Sequence, residues 1–100
     1  MVKHIVFWNI KQEHNGESKQ QIMLRMKSML ENLNGEIPGL LKLEVGLDIN
    51  RSDMAFDVCL VSDFSDRESL AIYQKHPLHV ACGEYISRVS LKRAVCDYEY

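Results

Sequence analysis

The chain has 100 residues, 46% hydrophobic and 26% charged, the make-up of one ordinary soluble globular domain. At this length roughly 60–65% of the unfolded surface is buried, so the core is modest and a partner subunit would add to it. The net charge of −2, with acids and bases interspersed and no basic stripe, RNP motif or zinc-finger spacing, excludes a nucleic-acid-binding module.

The opening run, MVKHIVFWNI, is too short to span a bilayer and has no small-residue cleavage site, so it reads as neither a membrane segment nor a leader. Residues 2–10 alternate instead. His4, Val6, Trp8 and Ile10 share one face and Ile5 and Phe7 the other, which predicts a strand. KQEHNGES is polar and predicts a loop. Ser18 followed by Gln21 forms a capping box that opens a helix. Its buried side is Ile22, Met23, Met26, Met29, Leu30 and Leu33, with Leu24 pointing away, and Asn34-Gly35 stops it.

Ile37-Pro38-Gly39 reads as a turn. Residues 40–49 alternate, with Leu41, Leu43, Val45, Leu47 and Ile49 against Lys42, Glu44 and Asp48, which predicts a second strand. A hairpin turn over 50–53 leads to a third over 54–62, with Phe56, Val58 and Leu60 on one side and Ala55, Cys59 and Val61 on the other. Ser65 and Glu68 make a second capping box for a short helix through Leu70, Ala71 and Tyr73. Pro77 ends that helix and starts another, which buries Leu78, Cys82, Tyr85, Ile86 and Val89. The last strand is 92–99, where Ala94, Cys96 and Tyr98 alternate with Arg93, Val95 and Asp97.

The order β-α-β-β-α-β predicts an α+β, ferredoxin-like fold with a four-stranded antiparallel sheet, the first and third strands in the centre. Both are apolar on two faces, whereas the other two carry charges, as edges do. Helices cover one face of such a sheet. The bare apolar face predicts a homodimer built by packing a second copy of the same sheet. Cys59, Cys82 and Cys96 are odd in number and include no CxxC, so they are read as reduced and the protein as cytoplasmic. Their strand positions predict shielded thiols at Cys59 and Cys96.

VKHIVFW at the start, IPGLLKLEVG in the middle, FDVCLVSDFSDRESLAIYQKHPLHV after it and the closing RAVCDYEY resemble the stress-responsive A/B barrel (Dabb) family, in order and over nearly the whole chain. The resemblance implies one such domain over residues 1–100 and a dimeric α+β barrel, in which two ferredoxin-like sheets pack face to face. Polyketide cyclases of this family close a linear chain by aldol condensation without metal or cofactor. Their site uses a first-strand histidine, a tyrosine ending the second helix and the last histidine of H-P-x-H. Those positions are held here by His4, Tyr73 and His79, and His76 also matches. The resemblance thus implies a cavity with His79, Tyr73 and His4 as catalytic groups, no metal and no cofactor, lined by Val6, Trp8, Met23, Met26 and Gly83. Trp8 is a large wall residue and departs from what a long polyketide tail needs, so the substrate does not carry over.

The residue types suit that chemistry. Imidazole titrates near neutrality and makes His79 a natural general base. Tyr73 can donate to a carbonyl or enolate oxygen, and His4 can orient substrate. His76, directly before Pro77, is expected to cap a helix with a ring nitrogen. His76, His79 and Cys82, with His4, are the one conceivable metal set, but a spacing of three across a proline is no zinc pattern. His14 lies in the polar loop and is read as solvated. Three functional readings follow: a cofactor-free lyase or cyclase acting on a small carbonyl or polyketide-like compound, a non-catalytic dimer that binds a small apolar or aromatic ligand or serves a stress role, and a cofactor-free monooxygenase.

Overall fold

The computed structural model describes residues 1–100. Strand β1 (Val2–Ile10) is followed by two two-residue strands, β2 (Glu13–His14) and β3 (Glu17–Ser18), and by helix α1 (Lys19–Glu31). Strands β4 (Leu40–Leu47) and β5 (Val58–Phe64) lead to α2 (Arg67–Lys75), α3 (Pro77–Val89) and β6 (Ser90–Glu99). The main sheet runs β4-β5-β1-β6, with every pairing antiparallel, so β1 and β5 are central as expected. One cluster of 21 buried side chains fills the space between this sheet and the helices.

Alternation in β1 survives intact: Val2, His4, Val6, Trp8 and Ile10 are buried under the helices, and the residues between them are half-buried on the other face. The capping box forms as predicted, with Ser18 Oγ accepting from Gln21 N at 3.2 Å and Gln21 Oε1 accepting from Ser18 N at 2.8 Å. Side chains of α1 and of the turn that follows it also close the free edge of β4. Asn34 donates to the Leu43 carbonyl and accepts from the Leu43 N–H, Glu31 accepts from the Val45 N–H, and Lys27 donates to the Val45 carbonyl. This occupies backbone groups that an edge strand leaves open.

Several expectations need correction. The polar loop after β1 folds back as the β2–β3 hairpin, because Asn15 (φ 49°) and Gly16 (φ 83°) supply the two left-handed residues that such a turn requires. Leu40 pairs with Phe64 and Lys42 with Asp63, so Leu41 is bulged out of the ladder and 54% exposed. The third strand begins at Val58, not 54. Residues 48–57 form a loop pinned by Asp48, which accepts from the N–H groups of Asn50 and Arg51, and by Asp57, which accepts from Ile10 N. Within it Ile49 is exposed, and Phe56 turns to the uncovered face to pack on Phe7 at 5.7 Å. The N-cap of α2 is Asp66, not Ser65: β5 runs on to Phe64, and the Asp66 carboxylate accepts from Ser69 N at 2.8 Å. On α3, Leu78 is 45% exposed instead of buried.

The face away from the helices carries Ile5, Phe7, Cys59, Val61, Ala94 and Cys96 in register. No helix covers it, and Phe56 packs against it at Phe7. Cys96 is exposed there, against the expected shielding, while Cys82 is the buried thiol. All three cysteines are free. No helix is long and apolar enough to cross a membrane.

Candidate functional site

Between α3 and the helix-side face of β1 and β6 lies a cavity of about 370 Å³. Alternation brings His4, Val6 and Trp8 to its floor. The break at Pro77 brings the rest. A proline clashes with a helical residue before it, and His76 accordingly takes extended angles (φ −66°, ψ 135°). The same residue caps both helices: its N–H donates to the Tyr73 carbonyl, and its Nδ1 accepts from Leu78 N at 3.1 Å. In one continuous helix, residues six apart stand about 9 Å apart along the axis and point about 120° away from each other. Here Tyr73 and His79 meet with ring centroids 4.2 Å apart.

Tyr73 is 1% exposed and packs edge-on against Phe64 at 4.9 Å. Burial pushes its phenol well above the ordinary value, so it stays protonated and is a donor. Its hydroxyl bonds to no protein group, yet no sealed polar side-chain atom in the chain lacks a partner. The hydroxyl therefore opens onto the cavity. His79 Nδ1 lies 3.3 Å from the Gln74 carbonyl, which assigns the proton to that nitrogen and leaves the Nε2 lone pair without a protein partner. Burial lowers the His79 pKa. The Gln74 carbonyl opposes this, and the charges of His4, Arg93 and His76 add to the lowering. His79 is thus a neutral base at neutral pH.

His4 is 3% exposed, and its Nδ1 contacts Asp97 Oδ1 at 2.5 Å across the β1–β6 ladder. Its backbone carbonyl accepts from Ser62 Oγ, which gives the other buried polar group of the core its partner. The carboxylate holds the Nδ1 proton and fixes the ring.

Of the expected lining residues, Val6, Trp8 and Gly83 border the cavity, and Met23 and Met26 do not. Met26 is fully buried in the core, and Met23 borders a separate polar depression beside Lys19 and Asp57. Leu30, one turn further along α1, supplies that wall instead. Sequence reasoning missed Arg93 and Asp97. Their alternation placed them on one face of the last strand, but the β1–β6 register that sets them opposite Trp8 and His4 is a tertiary fact. No three His, Cys, Asp or Glu side chains converge on a common point that could hold a metal.

This topology and its helix-side cavity define a ferredoxin-like α+β protein. The chain belongs to the family described as Stress responsive A/B Barrel Domain (Dabb), whose model matches residues 2–100. It is similar to a dimeric protein of unknown function from Bacteroides fragilis, 33% identical, with a TM-score of 0.87 over 99% of this chain and 95% of that one. At the level of fold alone it is similar to a hydroxynitrile lyase from Passiflora edulis, 20% identical, with a TM-score of 0.80 over 97% of this chain and 90% of that one. The same holds for a putative antibiotic biosynthesis monooxygenase from Nitrosomonas europaea, 14% identical, with a TM-score of 0.78 over 100% of this chain and 98% of that one. No curated protein matches the chain.

Proposed function

We propose that the cavity binds a small carbonyl compound and carries out cofactor-free proton transfer of the lyase or cyclase type. The observation behind this is the convergence of Tyr73, with its unpartnered hydroxyl, and neutral His79 on one cavity. In this reading His79 Nε2 removes a proton next to the carbonyl, and Tyr73 donates to the oxygen as the enolate forms. The enolate carbon attacks a second carbonyl, a carbon–carbon bond forms, and the proton held on His79 returns to the new alkoxide. A lyase runs the same steps backwards. His4, fixed by Asp97, orients the oxygen. The volume and Trp8 limit the substrate to a compact molecule.

A second reading, a binding protein without turnover, is favoured by the cavity itself. Its size lies in the range of ligand pockets, about 300–1,000 Å³, and most of its wall is apolar. The monooxygenase reading rests on fold likeness only. In either of the first two, a second copy covers the sheet face of Ile5, Phe7 and Val61, as the dimeric Bacteroides fragilis relative supports. The cytoplasmic reading stays attached to the three free thiols.

The test is a titration of the histidine ring signals by NMR with small aromatic aldehydes and ketones, followed by assays for aldol and retro-aldol turnover. Shifts at His79 and His4, with turnover that His79→Ala abolishes, support the enzyme. Shifts without turnover support the binding protein. The reading fails when no compound moves either ring.

A further inference from the structure

One permanent cation lines the cavity, Arg93, and no carboxylate does. Arg93 lies on β6 opposite Trp8, on the helix-side face. It makes no ion pair and no side-chain hydrogen bond within the chain. The acids that follow it on the same face are already engaged: Asp97 by His4 Nδ1 and Glu99 by Arg67. It is exposed to solvent, carries no internal counter-charge and lines the cavity, so it is available to a ligand at the cavity mouth. The other polar side chains lining the cavity are His4, Tyr73, His79, Ser87 and Ser90, and Ser87 already donates to the Glu84 carbonyl. Beside it on the cavity floor, Trp8 and Val6 are apolar, as is Ile86 of α3.

An apolar cavity with one guanidinium and no acid matches an apolar body that carries one anionic group. A guanidinium fits a carboxylate through two parallel N–H···O bonds. A phosphate dianion calls for more donors than one arginine provides. We propose that the cavity takes small apolar or aromatic carboxylates, the carboxylate on Arg93 and the body against Trp8 and Val6, with the reacting part at Tyr73 and His79. This rests on the cavity being a ligand site, and it stands whether or not the ligand is turned over.

The probes are benzoate and 3-phenylpropanoate, their neutral amides, and phenyl phosphate. Each is titrated into the full chain while the ring signals of His4 and His79 are followed by NMR. The acids should bind roughly tenfold or more tightly than the amides, as expected for a charge-assisted hydrogen bond. Arg93→Gln should bring the acids down to the amides without changing amide binding, which also shows that the variant is folded. Arg93→Lys should keep part of the preference. Equal binding of acids and amides overturns the inference and leaves the ligand site standing, as does an acid preference that survives in Arg93→Gln. Tighter binding of phenyl phosphate overturns it in favour of a phosphoryl ligand. No shift with any probe overturns both the inference and the ligand site.

Discussion

Asp97 on the last strand grips Nδ1 of His4 on the first at 2.5 Å, so that the buried imidazole of the cavity floor is held by its neighbouring strand. Asp97→Ala leaves that N–H buried without an acceptor. The expected loss is about 1–3 kcal/mol in urea unfolding. The nitrogen-15 shifts of His4 should also change from a single Nδ1–H tautomer to a mixture. An unchanged tautomer in the variant would show that the carboxylate does not set it.

Tyr73→Phe and His79→Ala separate folding from chemistry. The Tyr73 hydroxyl bonds to no protein group, so its removal should move stability by less than about 0.5 kcal/mol. Turnover in the proposed reaction should fall by roughly 10²–10³, as on loss of an oxyanion donor. His79→Ala should abolish turnover and leave the melting point nearly unchanged. A large drop in melting point for Tyr73→Phe would mark the hydroxyl as structural.

The pH dependence has a definite sign. The His79 pKa is depressed by burial, so the folded chain binds fewer protons than the unfolded one just below the ordinary imidazole value. Stability from this group is therefore present above about pH 6.5 and is lost as pH falls through the folded pKa. Activity that needs the neutral base should have its acid limb below about pH 6.5 as well. A limb above that value would exclude His79 as the base.

Gly83 is a helical glycine on the cavity wall, and a Cβ placed there would meet no atom within 4 Å. Gly83→Ala should stabilise α3 by about 0.5–1 kcal/mol, because alanine restricts the unfolded chain and favours the helix. The added methyl projects into empty space, so ligand affinity should fall while the melting point rises. A higher melting point with unchanged affinity would place the ligand away from this wall.

Phe7 sits at the middle of the uncovered sheet face, with Phe56 against it. Phe7→Asp should split the proposed dimer in sedimentation, since burying an unpaired charge in an apolar interface costs several kcal/mol. Cys96 is exposed in the single chain and lies on the same face. It should react slowly with thiol reagents in the native protein and fast in the variant. Fast labelling of both would leave that face open. Cys59 and Cys96 are two strands apart, roughly 10 Å, too far for a disulfide, so the mass should remain that of the reduced chain.

What the sequence reveals depends on whether a signal is local. The period-two run of β1, the Ser18–Gln21 capping box and the Pro77 break act within a few residues, and each appears in the structure where it was read. The 54–62 alternation failed because Asp57 is drawn to the backbone of β1 at Ile10, which delays the strand to Val58. Met23 and Met26 share a wheel face with Leu30, but which part of that face meets the cavity depends on how α1 crosses the sheet. Arg93 and Asp97 needed the β1–β6 register, which no single segment encodes.

The side chains of Lys27, Glu31 and Asn34 give the sheet a polarity that bears on aggregation. A foreign strand approaching β4 finds the Leu43 and Val45 backbone already bonded, so the sheet can lengthen only past β6. Growth into a fibril needs two open borders on every added copy, and this protomer has one. Helix α1 thus works as an end-stop for polymerisation as well as a layer of the core. A triple substitution of those three residues by alanine would reopen the second border, and slow, concentration-dependent thickening of the solution would follow.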